Sequence, residues 1–192
     1  MGPEVAAFEK EFAYRFNVKH AVMVNSGSSA NLLMLATLNL HPDFCFSHRT
    51  GQPTIIVPAV SWSTTYFPIQ QYGYKLKFVD VDPLHFNIDP ALVEQAIDED
   101  TVAVLAVNLL GCPAPLDRLS ELCAAKGVVL LEDNCESMGA TVKVGGQYKA
   151  AGTIGRMGTF SFFYSHHIST MEGGMVVTDD DRLVDYLRCL LS

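Results

Sequence analysis

Basic runs are missing from this sequence: its 13 Lys and Arg are scattered and outnumbered by 21 Asp and Glu, giving a net charge of −8. Nucleic acid and anionic membrane surfaces call for clustered cations, so neither partner is expected, and any bound phosphate must be held locally. Long apolar runs are missing too. The longest near-apolar stretch, Val102 to Leu110, contains Asn108 and falls far short of the roughly 20 residues of a spanning helix. The start, Met1-Gly2-Pro3-Glu4-Val5-Ala6, has no basic segment leading into an apolar one and no Ser or Thr at position six, which points to a cytoplasmic protein. Cysteine is sparse: Cys45, Cys112, Cys123, Cys135 and Cys189 form no CxxC pair, and an odd number does not build a disulfide framework. Of six histidines only His166 and His167 are adjacent; neighbours on an extended chain face opposite ways, so no metal site is expected. With no repeat, low-complexity tract or Gly/Ser linker, residues 1–192 read as one domain.

What is present is apolar and periodic, with 49% hydrophobic residues. Residues 3–16 pattern as an amphipathic helix with Val5, Phe8, Phe12 and Phe16 on one face. Short β-rich runs follow at 21–25, 54–58, 76–80, 102–108, 128–132, 159–163 and 174–177, most too continuously apolar for one face to meet water. Helical patterns lie between them at about 28–38, 63–72, 89–98, 115–126 and 179–191. The alternation predicts an α/β fold, a mostly parallel seven-stranded sheet between helices, with binding groups at the loops after the strand C-termini. Two loops stand out, His41 to Pro53 and the Gly-rich, basic Lys143 to Gly155, each readable as a mobile flap or a plain surface connection. The helical pattern runs to Leu190-Leu191-Ser192 with no capping Gly or Pro, which reads as a truncation.

Four segments carry groups suited to chemistry. Asn25-Ser26-Gly27-Ser28-Ser29 opens a helix with a glycine among hydroxyls, a pattern that suits a phosphate at the positive end of a helix dipole and equally suits plain capping. Val129 to Glu136 ends an apolar strand in Glu132-Asp133, with Glu136 shortly after; Asp133 is either the partner of a protonated ring nitrogen or a helix cap. Trp62, the only tryptophan, follows a strand end, where it could stack on a planar ligand or fill the core. The segment Gly158 to Gly174 sets Ser161 in an aromatic strand, then His166 and His167, then Glu172, placing titratable groups beside a large apolar strand.

In this order and spacing the segments resemble the DegT-type nucleotide-sugar aminotransferase and dehydratase family, fold-type-I pyridoxal-phosphate enzymes. The resemblance also takes in Gly2-Pro3-Glu4-Val5, Val57-Pro58-Ala59, Phe78-Val79-Asp80-Val81-Asp82, Asn87-Ile88-Asp89-Pro90 and Gly139-Ala140. It implies the family's large cofactor domain, with a smaller C-terminal domain lying beyond this chain, and a homodimer in the full-length form. It also implies pyridoxal or pyridoxamine 5'-phosphate as cofactor. Gly27, Ser28 and Ser161 would cradle the phosphate, Trp62 stack on the ring and Asp133 pair with its nitrogen. Glu136 would contact the ring oxygen, and Asn108 matches a polar position near the ring.

One departure sharpens the expectation. The family's aminotransferases carry a Lys five residues after the serine of the Ser-Phe-Phe motif, where this sequence has His166, and no Lys occurs after Lys149. An imidazole cannot make the covalent bond to the cofactor, which needs a primary amine, but it can move protons near neutral pH. The replacement resembles the branch that removes the C3 hydroxyl of 4-keto-6-deoxy nucleotide sugars, closest to the GDP-4-keto-6-deoxymannose 3-dehydratase type, with glutamate as amino donor and His166 as the catalytic base. Two alternatives stand beside it: an aminotransferase in which Lys143 or Lys149 swings into the vacant place, and a non-catalytic cofactor-binding fragment.

Overall fold

The computed structural model of the chain describes residues 2–44, 46 and 51–191. All seven anticipated strands form one sheet: β1 (His20–Val24), β2 (Thr54–Pro58), β3 (Lys75–Val79), β4 (Thr101–Val107), β5 (Val129–Asp133), β8 (Met157–Ser161) and β9 (Gly174–Thr178). Their order across the sheet is β1-β9-β8-β5-β4-β2-β3, and only β9 runs against its neighbours. Six helices follow the sequence pattern: α1 (Pro3–Phe16), α2 (Gly27–Leu40), α3 (Ser63–Gln71), α4 (Pro90–Ala96), α5 (Leu116–Lys126) and α6 (Asp181–Leu190).

The unbroken apolar strands are explained by burial on both faces. Ile55, Val57, Ala103, Leu105 and Leu131 pack with Leu35 and Leu38 of α2 and Leu183 and Leu187 of α6. The residues between them in sequence, Ile56, Val104, Ala106 and Leu130, join Val93 of α4 and Leu116, Leu119 and Cys123 of α5. Strand parity therefore decides which layer each side chain enters. The predicted aromatic face of α1 packs onto β8: Phe8 lies 5.2 Å from Phe162, Phe12 5.0 Å from Phe160 and Phe16 5.1 Å from Phe160, ring centre to ring centre. The buried rings of Phe12, Phe160 and Phe162 contribute about 1.5–3 kcal/mol each by apolar burial, and with the partly buried Phe8 and Phe16 they brace the strand that ends in Ser161.

Of the two loops, the second is largely a hairpin, β6 (Thr141–Val144) and β7 (Gln147–Ala150). Gly145 and Gly146 both have positive φ, 59° and 85°, as a tight two-residue hairpin turn requires. In the first, a single 3-10 turn spans Pro42–Phe44, while Cys45, His48 and Arg49 lie outside the described residues. No helix among the described residues is long and apolar enough to cross a membrane.

At the far edge Lys77 of β3 donates to the Ala96 carbonyl at 2.6 Å and to Asp98 at 2.7 Å, tying α4 to the sheet. The Lys77 hydrogen bond, with a second from Thr101, holds the Asp98 carboxyl down to about 2. A depressed carboxylate contributes stability above its unfolded value and loses it as pH falls through the folded one. Asp98→Asn is therefore expected to cost under about 1 kcal/mol at neutral pH, because the pair is partly solvated. Urea titrations should find that difference vanishing as the pH approaches 2.

Candidate functional site

The C-terminal ends of β1, β2, β4, β5 and β8 lie along one side of the sheet, where α2 begins and the segment after Phe162 crosses. A cavity of about 500 Å³ opens there, lined by Gly27, Ser28, Trp62, Asp133, Glu136, Ser161 and His166. Seven of the eight residues singled out from the sequence thus meet in one place.

The start of α2 forms the cavity wall. Ser26 is the structural cap, its Oγ accepting the Ser29 N–H at 3.1 Å. Capping and ligand-facing roles are therefore divided between neighbouring residues, since Ser28 lines the cavity and is exposed. Gly27 is required by close approach: a Cβ there would lie 2.6 Å from Ser161 Cβ, 2.9 Å from its Oγ and 3.0 Å from Cys135 Sγ. The helix N-terminus, with backbone N–H groups that have no partner inside the helix, is thereby seated directly against the Ser161 hydroxyl. Cys135 is a free thiol. Burial, and next the Asp133 charge, push it well above its ordinary range, so it stands beside this wall as a neutral thiol rather than a nucleophile.

Asp133 is buried at the cavity floor and ends β5 with no helix following, which removes the capping alternative. Oδ2 accepts from Asn31 Nδ2 at 2.8 Å and from Thr65 Oγ1 at 2.8 Å; Oδ1 accepts the Cys135 N–H at 3.2 Å. Thr159 Oγ1 donates in turn to Asn31 Oδ1 at 2.7 Å. Asn31, Thr65 and Thr159 were not anticipated. Asn31 had a readable signal, an amide one turn after Gly27 in a helix that is apolar over most of its length; Thr65 and Thr159 had none, because only the packing of α3 and β8 brings Thr65 to Asp133 and Thr159 to Asn31.

Trp62 is 71% exposed at the cavity rim, so it is not a core residue. Glu136 also lines the cavity and accepts the Leu110 N–H at 3.3 Å. His166 is half-buried in an otherwise exposed run from Phe163 to Glu172, its backbone N–H donating to the Phe163 carbonyl at 3.0 Å. His167 is exposed and does not line the cavity. Neither Lys143 nor Lys149 does so; both are exposed on the β6–β7 hairpin, whose Val142 packs on the α5 side of the sheet. Among the described residues no three His, Cys, Asp or Glu side chains gather as a metal site.

Asn108 lies apart from the other seven. It is fully buried, Nδ2 donating to Glu132 Oε2 at 3.1 Å and Oδ1 accepting the Ala114 N–H at 2.9 Å, and it does not line the cavity. Parity is the reason: two residues beyond Ala106, it faces the α5 layer, while Val107 faces the cavity. Glu132 lies in the same layer. Its Oε1 accepts N–H groups of Ile154 and Gly155, each at 2.6 Å, and its Oε2 that of Gly152 at 2.6 Å. Burial pushes this carboxyl above its usual range while the four donors pull it back.

Known proteins resemble this chain over almost its whole length. Two proteins named GDP-4-keto-6-deoxy-D-mannose 3-dehydratase match almost the whole chain. The one from Escherichia coli O55:H7 is 52% identical over 191 residues, and the one from Yersinia pseudotuberculosis 53% over 192; each alignment takes 99% of this chain and 47% of the relative. The chain thus spans about half the length of these curated relatives. A solved structure of the E. coli 3-dehydratase with bound hydrated PLP superposes with a TM-score of 0.89 at 50% identity, over 98% of this chain and 47% of that one. S. venezuelae DesV superposes at 0.86 with 34% identity, over 99% and 48%. The profile of one family matches from residue 1 to residue 192, and on that match the chain belongs to the DegT/DnrJ/EryC1/StrS aminotransferase family.

Proposed function

We propose that this chain is the cofactor-holding portion of an enzyme that removes the C3 hydroxyl of a GDP-linked 4-keto-6-deoxyhexose, using pyridoxal or pyridoxamine 5'-phosphate. The observation that carries the proposal is His166: a half-buried imidazole faces the cavity, and no lysine lines it. The relatives named as 3-dehydratases, at 52% and 53% identity, supply the substrate class.

The residues fit the cofactor. The α2 N-terminus, Ser28 and the Ser161 hydroxyl, brought together because Gly27 has no Cβ, would hold the phosphate. Trp62 would cover the ring face, Asp133 would accept a hydrogen bond from the ring nitrogen, and Glu136 would face the ring oxygen. Bound in its amine form, the cofactor would supply a nucleophilic nitrogen and an electron sink. His166 takes one proton next to the reacting carbon and passes one to the departing C3 hydroxyl, which leaves as water. Glutamate serves as amino donor, the full-length form is a homodimer, and the enzyme works in the cytoplasm.

The aminotransferase alternative is separable by experiment. The chain loaded with pyridoxal phosphate and treated with borohydride is expected to carry no pyridoxyl group by mass spectrometry, and His166→Lys is expected to acquire one. A pyridoxyl group on Lys143 or Lys149 of the unmodified sequence would overturn the proposal.

A further inference from the structure

Asn31 sits 1% exposed in α2, a helix whose other buried positions are almost all apolar. A primary amide there is costly unless both ends are bonded, and both are. Thr159 Oγ1 donates to its Oδ1, which turns Nδ2 toward Asp133. The second donor to the same carboxylate oxygen is Thr65 Oγ1, whose proton is thereby used. The 2.9 Å contact between Ser61 and Thr65 must then run with Ser61 donating to Thr65. The Asn31 amide and the Thr65 hydroxyl both donate to Oδ2. Oδ1 accepts the Cys135 N–H, and the Cys135 thiol also hydrogen-bonds to this carboxylate.

We infer that Asn31 and Thr65 are positioning residues for Asp133: they pin Oδ2 from two sides, fix the carboxylate's rotation about its Cβ–Cγ bond, and leave Oδ1 to face the cavity. A carboxylate held this way presents one oxygen to a ligand N–H without reorganising when the ligand arrives. The amide of Asn31 cannot rotate to serve another partner without breaking its bond from Thr159. This inference rests on the reading of Asp133 as the ring-nitrogen partner, and it adds the residues through which that role is set.

Two measurements on the 192-residue chain test it. In the ligand-free chain, the stability lost in Asn31→Leu is expected to shrink by about half when Asp133 is already Asn, because a bond to a carboxylate is roughly twice as strong as one to a neutral acceptor. Additive losses would overturn the inference. In the chain bound to pyridoxamine 5'-phosphate labelled with ¹⁵N in the ring, the pH at which that nitrogen loses its proton is expected to fall by about one unit in Asn31→Leu and in the near-isosteric Thr65→Val, a tenfold loss of proton affinity. A fall in Asp133→Asn with no change in either variant would overturn the positioning roles alone. No response in Asp133→Asn, or no binding by the unmodified chain, would defeat the assignment of Asp133 itself, and the ligand-free cycle would still decide whether Asn31 holds its carboxylate.

Discussion

Replacing His166 by Asn is expected to lower C3 dehydration of a GDP-linked 4-keto-6-deoxyhexose by roughly 100- to 10,000-fold, the range that a positioned general acid–base group contributes. Asn keeps a hydrogen-bonding side chain of similar size but cannot take up a proton. The loss should fall on turnover and spare cofactor retention, because Gly27, Ser28, Trp62, Asp133 and Ser161 line other parts of the cavity. Ammonia release under single-turnover conditions reads the chemical step, and fluorescence titration with pyridoxamine phosphate reads binding. His167→Asn is the matched control: that side chain is exposed and off the cavity, so turnover should be little changed. Unimpaired dehydration in His166→Asn would remove the base from the proposed mechanism.

The largest effect on stability is expected at Glu132. Glu132→Gln keeps the shape of the side chain but puts an NH2 where one carboxylate oxygen accepts two hydrogen bonds. With the carbonyl oxygen turned to Ile154 and Gly155, the NH2 meets the Gly152 N–H and Asn108 Nδ2, both donors. Asn108 cannot flip to compensate, since its Oδ1 holds the Ala114 N–H. Two charge-assisted hydrogen bonds are lost inside the protein, a cost on the order of 3–5 kcal/mol, against a total of about 5–15 kcal/mol for a typical domain. Urea unfolding of the ligand-free chain measures it, and a loss under about 1 kcal/mol would show that the loop from Gly152 to Gly155 is held by other contacts. Since that loop leads into β8, loosening it should also weaken cofactor retention at Ser161.

Element type and order were legible in the chain because periodicity is local. Phe8, Phe12 and Phe16 mark the inner face of α1, and the unbroken runs of β2, β4 and β5 announce strands buried on both sides. The β6–β7 hairpin is hard to tell from a loop in the sequence although Gly145-Gly146 is a hairpin signal, because its strands are short and polar. The site was legible where a residue type is chemically conspicuous: a glycine among serines, acids at a strand end, a lone tryptophan, a histidine in a lysine's place.

What the sequence by itself determined is the set of elements and the groups at their ends. Only the tertiary structure decided which face each group takes. Period-two alternation fixes that consecutive residues oppose one another, yet it leaves open which of the two layers is which, and that choice is made when helices dock. Asp133 and Val107 fall on the α2 side and meet the cavity, while Glu132 and Asn108, one residue away on the same strand ends, fall on the α5 side and tie down a loop. Asn31, Thr65 and Thr159 converge on Asp133 across 102, 68 and 26 positions of sequence (133 − 31, 133 − 65 and 159 − 133). No local pattern carries a contact of that span; it exists because α2, α3 and β8 pack around the end of β5.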